Sequence, residues 1–169
     1  MATLARHALA LTVPRLGLVK SEADRLTAIY SAPPIPVHEI AEEQGVDVVF
    51  ATFGEFGDRV AGFCDFDQGK LYVNAEDKFE GQTFTIAHEL GHWILHRQFF
   101  EADPESYQIL PRFQQTPTGD AFELEATLFA VNLLVPQWLL EPVKHATVAT
   151  LSELFLVSRT MMEYRLKNG

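Results

Sequence analysis

Five residues, His88-Glu89-Leu90-Gly91-His92, constrain this chain more than any others. Histidines four apart stand one turn apart on one face of an α-helix, with about 6 Å between their Cβ atoms. Both imidazoles can then close on one zinc ion at about 2.0–2.1 Å. Glu89 lies about 100° round the helix from His88, beside the metal without being forced onto it. From there it can take a proton from water at the metal. The motif therefore asks for a helix over residues 84–96, with Thr83 as its N-cap. It also asks the fold to bring a third ligand, because a catalytic zinc keeps three protein ligands and one open position.

No third histidine stands six residues after His92, where Gln98 occupies the position. His96 continues the same helix face, but about 6 Å further along the axis. It is expected to miss the metal and either to contact substrate or to cap the helix end. Residues 121–135 form a second helical pattern, stopped by Pro136. Its wheel has Phe122, Ala126, Phe129, Ala130 and Leu133 at the apolar centre. Glu125 and Asn132 share the one polar strip, so Glu125 is expected to be solvated. Glu123 lies with Thr127, Ala130 and Leu134 on an otherwise apolar side. A carboxylate there must be paired or metal-bound, since burying it alone is costly. Glu123 is thus the expected third ligand. Thr127, one turn on, either supports a ligand histidine by a hydrogen bond or simply packs. Gly91 costs the helix about 1 kcal/mol against alanine. A close approach of another backbone, the Glu123 helix or a substrate, would explain it.

The rest of the chain reads as short elements. Residues 21–30 look helical, with Ser21 as N-cap, and residues 31–36 form a proline-rich break. Residues 37–44 read as a short helix ended by Gly45. Strand signals follow at 46–52, 60–65 and 70–73, the last two joined into an antiparallel hairpin by Asp67-Gln68-Gly69. Residues 98–120 read as a long, apolar loop with Pro104, Pro111 and Pro117, expected to rim the cleft between the two ligand helices. Tyr107 is one of several polar groups that could face a developing oxyanion. Two more helices are expected near 148–156 and 159–167.

Composition narrows the function classes. Net charge is −10: residues 37–125 carry −13 and the two flanks +2 and +1. That argues against direct nucleic-acid binding, even though residues 151–166 have a helix-turn-helix cadence and carry Arg159 and Arg165. That segment is expected to pack or to dock a partner. The longest apolar stretch, residues 128–140, is interrupted by Asn132, Pro136 and Gln137, too short to span a membrane. The lone Cys64 excludes an internal disulfide framework and is expected to be a buried, inert thiol. Residues 7–13 are too brief a run for a signal peptide, so a soluble, reducing, cytoplasmic setting is expected.

The stretch Phe84-Thr-Ile-Ala-His-Glu-Leu-Gly-His-Trp-Ile-Leu-His96 resembles the ImmA/IrrE family of zinc metallo-endopeptidases, which are gluzincin-like. So does Glu123-Leu-Glu-Ala-Thr-Leu-Phe-Ala-Val-Asn-Leu-Leu-Val-Pro136, which is similar to the family's Glu-x-x-Ala-Asn-x-Phe-Ala-x-x-Leu-Leu-x-Pro signature. Thr127 stands where the family usually has Asn. The likeness extends over roughly residues 20–169. It implies an α+β fold: a mostly helical zincin-like peptidase domain with a small antiparallel three-stranded sheet and a C-terminal helical, helix-turn-helix-like segment. The expected division is an N-terminal extension over 1–20, the peptidase domain over 21–135 and the helical segment over 136–169. The likeness also implies Zn2+ on His88, His92 and Glu123, with Glu89 catalytic. It implies as substrate a helix-turn-helix repressor, cleaved to derepress phage, mobile-element or damage-response genes.

Three readings follow. In the first, a zinc endopeptidase takes its substrate as an added strand on the edge of residues 70–74. In the second, an antirepressor or toxin–antitoxin component sequesters its partner uncut, which the intact Glu89 disfavours. In the third, a structural zinc domain is disfavoured by the lack of a fourth ligand.

Overall fold

The computed structural model describes residues 11–107, 109–113 and 120–168. Helix α1 (Leu16–Thr27) buries Val19, Ala23 and Leu26, a 3–4 spacing that gives one apolar face. It begins before Ser21, whose hydroxyl donates to the Leu18 carbonyl inside the helix and caps nothing. Helix α2 (Val37–Glu43) buries Val37, Ile40 and Ala41. Gly45 ends it as expected: its φ of +78° is the left-handed conformation that lets Val46 N–H reach back to the Ala41 carbonyl.

Strands β1 (Asp47–Ala51), β2 (Val60–Asp65) and β3 (Lys70–Asn74) follow. The hairpin between β2 and β3 forms as read, with Cys64 opposite Leu71. The Asp65 carboxylate accepts from the N–H groups of Asp67 and Gln68 and shapes the turn. The α+β class stands, but the sheet is mixed and has four strands among the described residues, in the order β1-β3-β2-β4. Strand β4 (Ile109–Phe113) comes from the expected loop and pairs antiparallel with β2. Strand β1 lies parallel to β3, with Val48 opposite Leu71. The reason is topological: β3 inserts between β1 and β2, and its tight turn makes it antiparallel to β2. Both sides of β3 are therefore already paired, which overturns it as an edge for an added strand. The edges are β1 and β4, and Pro111 in β4 suits an edge because it lacks an N–H.

Helix α3 (Phe79–Ala102) runs through the centre. At 24 residues it is longer at both ends than the expected 84–96, and Thr83 lies inside it. Burial on nearly every side, from Thr85 through Leu90 to Leu95, marks an interior helix. Two glycines let its neighbours close in. A Cβ on Gly62 of β2 would lie 2.6 Å from Thr85 Cγ2 of α3 and 2.4 Å from the Tyr72 carbonyl oxygen. A Cβ on Gly91 would lie 3.1 Å from the Cα of Ala126. Ala126 belongs to α5 (Ala121–Leu134), which is capped by the Asp120 carboxylate on the N–H groups of Phe122 and Glu123. Between α3 and β4 lies the single turn α4 (Pro104–Tyr107).

The chain closes with α6 (Gln137–Leu140), α7 (Val148–Phe155) and α8 (Arg159–Asn168). Thr147 caps α7, and Leu156 ends it in the left-handed conformation at φ 54°. Arg165 turns inward: its Nε donates to the Val135 carbonyl and its Nη2 to Gln137 Oε1, both at 3.0 Å. One of the cations that gave the segment its DNA-binding cadence thus ties α8 to the end of α5. Among the described residues no helix is long and apolar enough to cross a membrane.

Candidate metal centre

Gly91 sits between His88 and His92, against Ala126. Glu123 is three residues before Ala126, on the same side of α5 and one turn nearer its start. The close helix crossing thus carries the Glu123 carboxylate to the two imidazoles. His88 Nε2 lies 3.2 Å from Glu123 Oε2, and His92 Nε2 lies 3.1 Å from Glu123 Oε1. One ligand atom from each of the three residues falls within 4.8 Å of the others. The imidazoles are buried, while the Glu123 side chain keeps 16% of its exposure, so the cluster is open on one side.

The donor set fits a divalent metal. Two imidazole nitrogens and one carboxylate are a zinc set with room for a fourth position. Glu123 Oε2 is buried and accepts no hydrogen bond, a costly state that a cation between the three residues would relieve. Burial pushes the Glu123 carboxyl up, but His88 and His92 outweigh it and hold the group ionised, well below the usual carboxylate range. On the far side of His88, Nδ1 lies 3.4 Å from Thr127 Oγ1, which favours the supporting role over simple packing.

Glu89 is fully buried on the side of α3 that faces β2. There Cys64 is also fully buried, and its thiol is pushed well up, chiefly by burial and then by the charges of Glu89 and Asp65. The thiol is buried as expected. The side chain of Tyr107, and the part of the apolar loop at residues 106–119, lie outside the described side chains.

Two expectations are corrected. His96 is not at a helix end, because α3 continues to Ala102, and it is fully buried. It stays out of the three-residue cluster, and its Nδ1 meets His92 Nδ1 at 2.8 Å. Glu125 is not solvated but fully buried. Arg15 Nε and Nη2 donate to its Oε1 and Oε2 at 3.0 and 2.7 Å, and the Arg15 backbone N–H also donates to Oε1. Burial raises the Glu125 carboxyl, but His96 and Arg15 together bring it down to about 2. Burial pushes His96 down to about 4, so it is neutral at pH 7. The wheel misses this because it sees only α5. The polar strip holding Glu125 is covered by the residue before α1, 110 positions away.

Three resemblances to known proteins are found. The family model described as Peptidase_M78, the IrrE N-terminal-like domain, matches residues 41–167. A protein of Bacillus phage phi105, "Uncharacterized immunity region protein 2", is 27% identical over 143 residues, 83% of this chain and 82% of its own length. A solved structure of a Mycobacterium tuberculosis transcriptional regulator matches with a TM-score of 0.61 at 19% identity. It covers 88% of this chain and only 46% of the regulator, and it shows the shared fold.

Proposed function

This chain belongs to the Peptidase_M78, IrrE N-terminal-like family, and on that premise we propose that it is a zinc-dependent, site-specific endopeptidase. It is a hydrolase that cuts a protein partner, a helix-turn-helix transcriptional repressor in the cytoplasm, and so derepresses genes. The observation that carries the reading is the convergence of His88, His92 and Glu123 from two helices, with Glu89 next in sequence to a proposed ligand. The phage immunity-region relative supports a repressor as the partner. We read residues 21–135 as the peptidase body, with 1–20 preceding it and 136–169 packed on it.

His88, His92 and Glu123 would hold the zinc. When bound, it supplies a Lewis acid that polarises the scissile carbonyl and makes water more acidic. Glu89 takes a proton from the attacking water and returns it to the leaving amine nitrogen. Thr127 and the buried helix pair hold the imidazoles in place, so geometry is set before substrate arrives.

Glu89→Gln separates cutting from binding. It keeps side-chain shape and removes the basic oxygen. Incubated with the neighbouring gene's repressor, wild type should cut it. The variant should retain zinc and partner binding and lose about 10²–10⁴-fold in cleavage rate. If both proteins derepress the target equally and leave the repressor full length, the chain is a non-proteolytic antirepressor.

A further inference from the structure

A cavity of about 470 Å³ opens between the first turns of α3, the middle of α5 and the start of α8, and the proton transfers proposed above make no use of it. Its floor is Ala61 of β2, Val131 of α5 and Met161 of α8, all buried and none charged. Lys78, Glu80 and Tyr164 also line it and are exposed, so they form its mouth. The cavity reaches the candidate metal centre through two more of its walls, Phe84 and Thr127. Thr127 Oγ1 lies 3.4 Å from His88 Nδ1, and the Phe84 ring centroid lies 6.1 Å from that of the His88 imidazole.

Gly81 lines the same cavity from the first turn of α3. Glycine is the poorest helix former after proline. Gly62 and Gly91 have a packing reason, since backbone atoms lie where a Cβ would press. Gly81 has none: a Cβ there would meet only the Asp77 Cβ, at 3.8 Å, an ordinary contact. Among the described residues nothing fills the space that a side chain at 81 would take, and that space is part of the cavity. Phe84 stands one turn before His88, and Thr127 one turn after Glu123, so the cavity begins about 5.4 Å from the proposed ligands. An extended chain advances about 3.2–3.4 Å per residue. A substrate with its scissile carbonyl at the metal therefore brings a side chain within two residues of that bond to the cavity. A charged side chain would lose its water to a floor that offers no counter-charge, whereas an apolar one buries surface there.

We infer that this cavity is the specificity pocket of the proposed peptidase, taking a long aliphatic or aromatic side chain of the cleaved partner within two residues of the scissile bond. The inference rests on the peptidase reading for its purpose, but the pocket's taste for apolar groups is a property of the metal-free chain. Gly81 keeps the pocket open, and Met161 and Tyr164 give it a wall from α8. The C-terminal segment then does more than pack on the body of the protein: it helps to choose where the partner is cut.

Two measurements test it. In the first, zinc-loaded protein cuts the neighbouring gene's repressor, the bond is mapped by mass spectrometry, and the two residues on either side of it are replaced in turn by alanine. At one of these positions a large apolar residue should be preferred to alanine by at least about 10-fold in kcat/KM. Gly81→Leu favours the helix and narrows the cavity from an exposed position. It should keep zinc and bring that ratio toward one, a change that lost stability alone would not produce. In the second, metal-free protein is titrated with N-acetyl-leucinamide while the Met161 methyl resonance is followed. The resonance should move in wild type, stay in place in Gly81→Leu, and stay in place in wild type given N-acetylglycinamide. No preference near the cut, a folded Gly81→Leu with the wild-type ratio, or an unmoved wild-type Met161 resonance overturns the inference. So does a dimer that Gly81→Leu turns into a monomer, because a second copy would then be the occupant. A wild type that binds zinc and cuts nothing overturns the peptidase reading instead, and the Met161 resonance still decides what the cavity takes.

Discussion

Gly91 of α3 faces Ala126 of α5 so closely that a Cβ on the glycine would lie 3.1 Å from the Ala126 Cα and 3.3 Å from its carbonyl oxygen. Those two atoms are backbone and cannot yield by a rotamer change, and the Phe129 ring, with Cδ1 at 3.0 Å, crowds the same point. Gly91→Ala gains about 1 kcal/mol of helix propensity but overpacks the crossing, at about 1–3 kcal/mol. A net loss of stability by urea denaturation is expected. Ala126→Gly should not rescue it, because the obstacles are the Ala126 main chain and the Phe129 ring; full rescue would show that the Ala126 side chain was the obstacle.

Metal content tests the proposed ligands directly. His88→Ala and Glu123→Ala should each reduce zinc far below one ion per chain in purified protein, measured by elemental mass spectrometry. Glu125→Ala should still bind one ion when zinc is in excess. Loss of the metal with Glu125→Ala and its retention with Glu123→Ala would reverse the assignment of the two carboxylates.

Zinc on the proposed ligands would bridge α3 and α5 and so favour the folded chain. At free zinc one hundred times its Kd, it would add about 2.7 kcal/mol of stability. For a chain of this size, that raises Tm by about 5–10 °C. Chelation should lower the wild-type Tm by that amount and leave Glu123→Ala unchanged. A variant that still responds to chelator would point to a metal held elsewhere.

Cys64 gives a pH signature. Burial first, then Glu89 and Asp65, raise its thiol well above the usual range. The unfolded thiol loses its proton near about pH 8.5, while the folded one keeps it. Above that pH the unfolded chain binds fewer protons, so this contribution is present below the unfolded pKa and is lost as pH rises, by up to about 1.4 kcal/mol per unit. Cys64→Ala should flatten the alkaline fall of unfolding free energy relative to wild type. In the native protein iodoacetamide should leave Cys64 unmodified. Parallel alkaline profiles for the two proteins, or rapid labelling of native Cys64, would contradict the burial.

The parts of this molecule that a local pattern specifies are legible in its sequence. The spacing of His88 and His92 needs only one helix, and the turn at Asp67-Gln68-Gly69 needs only a few residues. Glu123 is legible as a candidate ligand because its own wheel neighbours are apolar. What the pattern cannot supply is the identity of a distant neighbour. Glu125 lies on a polar strip that is dry because Arg15 and His96 cover it. β1 looks like any short strand until β3 inserts between it and β2. His96 reads as a helix end because the pattern stops there, whereas packing on both sides extends α3 to Ala102.

Arg15 stands well before residue 41, where the stretch shared with the family begins. α1, which follows it, lies along α5 and buries Val19, Ala23 and Leu26. An expression clone trimmed to the shared stretch would therefore strip a cation from a wholly enclosed carboxylate and lay bare a flank of α5. Such a shortened product should be poorly soluble even with every proposed zinc ligand intact, and the boundaries of a recognisable homology region are here a poor guide to where a working protein can be cut.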